Sequence, residues 1–246
     1  AQNGGAAFVL VYLVLAFFLA YPVLMAELII GRATRANVVD ALGVITRSKA
    51  GRYVGLWGAV TASLILSFYA IVAGWMLAYF VESTLSLLIA NSSLTWLVDF
   101  SISRNWLFCL LFLIFTAAIV TGGVRQGIEK WSVRLMPTLV LLIVALIIYV
   151  SLQDGAAEGW RAYLIPDFSK VTDPELLISA MGQAFFSMSL GVGTMLVYGS
   201  YIAKSENLPS LGASVALVDI GVAVLAGMLI IPAMYVAQAN GVAIFT

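Results

Sequence analysis

Six apolar runs, each long enough to cross a lipid bilayer, follow one another along this chain. A helix needs about 20 consecutive apolar residues to span the hydrocarbon core, where every backbone polar group must be bonded within the protein. With 63% hydrophobic and 10% charged residues, too little charge remains to cover a soluble domain. The sequence therefore predicts an all-α polytopic membrane protein. Its predicted spans are 6–31, 54–88, 105–122, 131–152, 178–203 and 212–237.

Basic residues are concentrated in the loops of one side. Nine lie on that side, at Arg32, Arg35, Arg47, Lys49, Arg52, Arg125, Lys130, Arg134 and Lys204. Three lie on the other, at Arg104, Arg161 and Lys170. The positive-inside rule then places the loop 32–53 in the cytoplasm and both ends of the chain outside. The polar segment 153–177, rich in Asp, Gly and Pro, is expected to hold a short surface helix.

Composition also argues against several classes of protein. Lys and Arg number 12, as do Asp and Glu, so no basic surface points to nucleic acid as a partner. The single cysteine, Cys109, has no partner for an intrachain disulfide, and histidine is missing from the sequence. We see no nucleophile–base arrangement or phosphate loop, and we expect neither an enzyme nor an organic cofactor. Because the chain starts without Met, we expect a fragment that lacks sequence at one or both ends.

Three of the polar side chains inside predicted spans stand out, because burying them is costly. Asp219 has no Lys or Arg in its span, which favours a cation pathway and leaves open a protonated or water-reached carboxyl. Glu27 lies near the cytoplasmic end of its span, where a simple pair with Arg32 explains it as well as a functional role. Tyr69, near the middle of the second span, needs a hydrogen-bond partner. On its residues alone, a carbonyl of a neighbouring helix is favoured over a ligand.

The fifth predicted span has its weakest helix formers near its middle. In "AFFSMSLGVGTMLVYGSY" (184–201), Gly191 and Gly193 weaken the helix, while Ser187 and Ser189 offer hydroxyls to freed backbone groups. One interpretation is close helix packing through small residues. The other is a discontinuous helix, whose exposed carbonyls and half-helix ends bind ions and charged substrate groups.

Four stretches, taken in order, resemble the neurotransmitter:sodium symporter family in its bacterial amino-acid-transporting branch. They are "NGGAAFVLVYLVLAFFLAYPVLMAELIIGR" (3–32), "SFYAIVAGW" (67–75), "GQAFFSMSLGVGTMLVYGSY" (182–201) and "LVDIGVAVLAG" (217–227). The first is similar to the family's Asn-Gly-Gly-Gly-Ala-Phe start of its second helix and to the Glu…Gly-Arg pattern at the end. The resemblance covers essentially the whole chain and implies family helices 2 to 7. It implies part of a five-plus-five inverted repeat, in which helices 1 and 8, outside this sequence, complete the ligand sites.

The resemblance also implies a role for individual residues. Tyr69 would bind the substrate carboxylate, Phe186 would cover the substrate, and Ser189 would lie where the unwound backbone meets the amine. The full implied substrate set is Ile65, Tyr69, Phe186, Ser187, Ser189 and Val192, and the sodium ligands are Ser187 and Asp219. Glu27 would brace the unwound segment. The gating and supporting set is Glu27, Gln183 (outer gate), Gly191, Gly193 and Tyr201 (inner gate).

Asp219 stands where many relatives have a neutral asparagine that ligates sodium, and Ala223 stands where chloride-dependent members have a serine. A carboxylate here would supply the negative charge that chloride supplies elsewhere. The resemblance therefore implies chloride-independent symport of sodium (Na+) and an amino acid, each of which raises the affinity for the other. The apolar residues Ile65, Phe186 and Val192 favour a neutral, hydrophobic amino acid. The expected partners are that small molecule and the lipid bilayer, in a bacterial inner membrane.

Two other functions remain open from the sequence. A proton-coupled amino-acid carrier on the same scaffold would use Asp219 as its proton site. A non-transporting membrane subunit or a decayed remnant would explain why half of the implied site is outside the chain. A channel is disfavoured, because neither a filter-like loop nor a ring of charges is visible.

Overall fold

The computed structural model describes residues 5–88, 95–99, 101–166, 168–171 and 173–241. The α-helices in these ranges are α1 (Ala6–Thr34), α2 (Val38–Thr46), α3 (Lys49–Leu88), α4 (Thr95–Val98), α5 (Ile102–Val120), α6 (Lys130–Ser151), α7 (Ala156–Leu164), α8 (Pro174–Ser187), α9 (Thr194–Tyr201) and α10 (Leu208–Ala239). A π-helical segment, Val124–Glu129, precedes α6, and a 3-10 turn, Phe168–Lys170, precedes α8. The described part of the chain forms no sheet and has one isolated bridge, between Gly5 and Pro166. The predicted all-α class is confirmed. Asn3 and Gly4 of the opening motif lie outside the described residues.

Among the residues that the structure describes, five helices are long and apolar enough to cross a membrane. They are α1, α3, α5, α10 and the segment Gln126–Ser151, which contains α6. The fifth predicted span, 178–203, is divided between α8, with 14 residues, and α9, with 8. At about 1.5 Å per residue, neither half reaches across the roughly 30 Å hydrocarbon core. The break predicted in this span is therefore present, and the crossing of the membrane by both halves together stays a prediction.

The described residues separate into two compact units, one within 1–59 and 138–246 and the other within 60–137. In the first unit α1 packs closely along α9. A β-carbon at Gly31 would collide with the carbonyl oxygen of Leu196, and one at Gly199 would lie 2.6 Å from that of Leu28. Because both glycines lack this carbon, the two backbones come into contact. Residues of α1, α8 and α10, with Leu190 and Met188 from the break, form the main buried core around Leu24.

Helix α7 packs against α10 in the same unit. A β-carbon at Gly159 would lie 2.5 Å from the Cα of Pro232, so the two backbones are very close there. The Tyr163 hydroxyl donates a 3.0 Å hydrogen bond to the carbonyl oxygen of Val224, and burial raises the pKa of its phenol. The surface helix expected in 153–177 is thus present and has a buried face.

Helix α2 forms a short hairpin with the start of α3. Asn37 caps α2, because its side-chain oxygen accepts a 3.0 Å hydrogen bond from the Asp40 N–H. Asp40 also accepts a 2.7 Å hydrogen bond from Arg52 on α3. Hydrogen bonds from Arg52 and Asn37 hold the pKa of the Asp40 carboxyl below its usual value. The hairpin is therefore fixed by a cap and an ion pair at its open end.

The second unit contains the rest of α3 together with α5. Gly74 lies against the backbone of Cys109, whose N atom would be 2.7 Å from an added β-carbon. Arg104 is fully buried here, with its guanidinium 5.2 Å from the ring centroid of Tyr79 and a 3.0 Å hydrogen bond to the Asp99 carbonyl. This buried cation is thus held by a ring face and a backbone oxygen.

Candidate functional site

The break between α8 and α9 contains three residues in the left-handed region within five positions. Their φ angles are 53° for Ser189, 85° for Gly191 and 82° for Gly193. Glycine adopts this conformation readily, whereas it costs a serine roughly 1–2 kcal/mol. A strained serine within a break of this kind is typical of a functional segment. Of the two interpretations left open by the sequence, the structure therefore has the discontinuous helix.

The start of the break is tied to α10 by two predicted sodium ligands. The Ser187 hydroxyl donates a 2.7 Å hydrogen bond to the Asp219 carboxylate. Both residues are half-buried, so the pair is not sealed inside the protein core. A hydroxyl and a carboxylate side by side provide hard oxygen donors of the kind that alkali cations prefer.

The middle of the break is tied to α1 by Glu27. Its carboxylate accepts a 2.7 Å hydrogen bond from the backbone N–H of Gly191, a group that the break leaves without a helical partner. Arg32, the other partner considered for Glu27, instead donates a 2.8 Å hydrogen bond to the carbonyl oxygen of Glu206. The structure thus directs Glu27 to the break and Arg32 to the loop that follows α9.

Tyr12 belongs to this group and was missed by the sequence reasoning. It is 4% exposed, and its hydroxyl lies beside Ser187 within electrostatic range of Asp219. Within the described residues, the buried Tyr12 hydroxyl has no hydrogen-bond partner at hydrogen-bonding distance and angle. The signal was available, since a phenol inside an apolar span needs a polar partner, the argument applied to Tyr69.

The remaining predicted residues are distributed along the two units. Phe186, 54% exposed, and Gln183, also exposed, lie on α8, while Tyr201, 63% exposed, ends α9. Val192 lies in the break and is half-buried.

Ile65 and Tyr69 lie one turn apart on α3, in the second unit. Tyr69 forms an edge-to-face pair with Phe68, with ring centroids 6.0 Å apart. Their role in substrate binding stays a prediction.

The fold and the site define a class of protein: a polytopic α-helical membrane protein with a discontinuous helix whose break carries a serine–carboxylate pair. The model of the sodium:neurotransmitter symporter family matches residues 1–99 and 93–246. The chain belongs to this family, which consists of membrane symporters and not of enzymes.

Named relatives are sodium-dependent transporters. The chain is 37% identical over 238 residues to the "uncharacterized sodium-dependent transporter YhdH" of Bacillus subtilis, covering 95% of the chain and 52% of that protein. It is 32% identical over 253 residues to a protein of Haemophilus influenzae with the same description, covering 95% of the chain and 54% of that protein. The bovine "sodium-dependent neutral amino acid transporter B(0)AT2" is 25% identical over 241 residues, covering 84% of the chain and 32% of that protein. The chain thus spans about half the length of the bacterial relatives.

Proposed function

We propose that the complete protein carries out sodium-coupled symport of a neutral, hydrophobic amino acid, independently of chloride. The observation that carries this proposal is the break between α8 and α9, held by Ser187–Asp219 at its start and by Glu27 at its middle. Membership of a sodium symporter family supports sodium as the coupled ion. No covalent chemistry is required, because binding of ion and substrate and a change of access suffice.

Sodium would bind at Ser187 and Asp219. The 2.7 Å hydrogen bond between them places a hydroxyl oxygen and a carboxylate together at the start of the break. Sodium binding would reorient the Ser187 hydroxyl, whose lone pairs and those of Asp219 would then face the ion. Because an amino-acid carboxylate would complete the shell, ion and substrate would each raise the affinity for the other.

The substrate would lie along the break. Ser189 would meet the substrate amine, and Val192 and Phe186 would line the side-chain pocket together with Ile65, with Tyr69 binding the carboxylate. Apolar pocket residues without a charged partner favour a neutral, hydrophobic amino acid. The printed name of the bovine relative, a neutral amino acid transporter, is consistent with this class.

Asp219 also supports chloride independence. Its carboxylate is fixed by Ser187, and it would balance the sodium charge in a medium of low dielectric constant. Ala223, one turn further along α10, has no polar atom in its side chain for an anion. Replacement of chloride by gluconate is expected to leave uptake by the complete protein unchanged, and a collapse of uptake would overturn this part of the proposal.

Access would alternate between the two sides of the membrane. Gln183 would act in the outer gate and Tyr201 in the inner gate, with Gly191 and Gly193 supporting the left-handed backbone of the break. The proposed orientation has loop 32–53 in the cytoplasm, because nine basic residues lie on that side against three. The proposed location is a bacterial inner membrane, in line with the bacterial relatives.

The test is binding of radiolabelled amino acids to the purified complete protein, in sodium or in potassium. We expect binding only in sodium, and its loss in Asp219→Ala and Tyr69→Phe. Leu217→Ala is the matched control, since this neighbour on α10 is 57% exposed and should bind as the unmodified protein does. Equal binding in both salts would overturn sodium coupling, and no binding of any amino acid would overturn the substrate class.

A further inference from the structure

The break is held at a third point by helix α2, which the transport roles above do not use. Val38, the first residue of α2, is 9% exposed and Ala41 is fully buried. Together with Leu196 of α9 they form a small core of their own. Helix α2 is thus packed against α9, the second half of the broken helix.

Val38 occupies the space that Gly193 leaves open. Gly193 caps α9 with a φ of 82°, and a β-carbon there would collide with a methyl group of Val38. The preceding carbonyl, that of Val192, faces α3, since a β-carbon at Gly58 would lie 3.0 Å from its oxygen. The last residues of the break are therefore held between α2 and the beginning of α3.

Helix α2 is itself firmly placed. Besides the Asn37 cap and the Asp40–Arg52 pair, a β-carbon at Gly55 of α3 would lie 2.7 Å from the Val38 carbonyl oxygen. Arg35, which precedes α2, donates a 3.0 Å hydrogen bond to the carbonyl oxygen of Ser200 at the other end of α9. The chain around Val38 is thus fixed against both α3 and α9.

The three anchors come from three different helices. Asp219 of α10 holds the start of the break, Glu27 of α1 holds the middle, and Val38 of α2 holds the end. The first two are hydrogen bonds, whereas the third is a steric contact. Binding groups must be placed within about 0.5 Å to bind well. The end of the break that leads into α9 therefore needs a fixed position as well.

We propose that Val38 is a positioning residue for sodium and substrate binding, acting through Gly193 and not by contact with either ligand. This inference rests on the proposed function, because sodium is the ligand whose affinity reports the geometry of the break. Shortening Val38 leaves Gly193 room to shift, and the break then adopts its binding geometry in a smaller fraction of molecules. The apparent affinity for sodium falls in proportion to the fraction of molecules that have the binding geometry.

The first experiment measures the sodium concentration for half-maximal amino-acid binding to the complete protein. Val38→Ala is expected to raise it by about fivefold or more, the usual lower range of coupling between sites, with maximal binding unchanged. Val44→Ala is the matched control on the same helix, because Val44 is 64% exposed. A Val38→Ala protein that titrates like the Val44→Ala control would overturn the proposal.

The second experiment does not depend on transport. Val38→Cys and Val44→Cys, each in a Cys109→Ala background, are treated with a maleimide in membranes. Val38→Cys is expected to react at least about tenfold more slowly, since exchange at a buried contact requires local opening. Equal rates would overturn the contact, whatever the binding result.

The two experiments distinguish failure of the proposed function from failure of the proposed role of Val38. If the unmodified protein shows no sodium-dependent binding while Val38→Cys is protected, the proposed function fails and the contact stands without its functional role. Should Val38→Ala fail to accumulate, Val38→Cys is titrated with sodium in its place. An unchanged sodium requirement relative to Cys109→Ala would then overturn the positioning role.

Discussion

Removal of the Glu27 carboxylate tests how much the break depends on its middle anchor. The bond from the Gly191 N–H to this carboxylate is 2.7 Å long, short enough for a charge-assisted hydrogen bond. Such bonds contribute about 1.5–3 kcal/mol, because the donor would otherwise stay unpaired. At about 1.4 kcal/mol per factor of ten, Glu27→Ala should raise the half-maximal sodium concentration roughly ten- to hundredfold.

Glu27→Gln is the matched comparison. Its amide oxygen still accepts from Gly191 but carries no charge, and neutral hydrogen bonds are about half as strong. We therefore expect an increase of less than about tenfold. The assay is amino-acid binding to the purified complete protein over a range of sodium concentrations, with melting in detergent as a check of folding. Binding by a well-folded Glu27→Ala protein within about twofold of the unmodified protein would refute the anchoring argument.

Three further changes test contacts of the fold by thermal denaturation in detergent. Tyr163→Phe removes the hydrogen bond to Val224 and is expected to destabilise by about 1 kcal/mol; an unchanged midpoint would show that the bond contributes nothing. Gly199→Ala places a β-carbon 2.6 Å from the Leu28 carbonyl oxygen. It should lower the free energy of unfolding by about 1–3 kcal/mol, because backbone must move. An equally stable variant would contradict this close packing. Asn37→Ala removes the cap of α2 and should lower the free energy of unfolding by about 1 kcal/mol. A melting midpoint that is unchanged or higher would argue against a stabilising cap.

Several features of the fold could be predicted from the sequence. The all-α membrane class came from long apolar runs, since only backbone bonded within each span is stable in hydrocarbon. The position of the break followed from Gly191 and Gly193, and both take up left-handed φ angles. A carboxylate inside a span is costly unless it has a partner, and in the structure both Glu27 and Asp219 contact the broken helix.

Local sequence determined the helices and the point at which one of them breaks, and tertiary structure alone decided which residues meet there. Asp219 pairs with a serine 32 residues earlier, and Glu27 with a backbone group 164 residues later. The burial of Tyr12 inside the first span could not be read from periodicity. Lipid is as apolar as a protein core, so a span looks alike on its lipid-facing and its packed sides. Only the packing of helices against one another distinguishes the two.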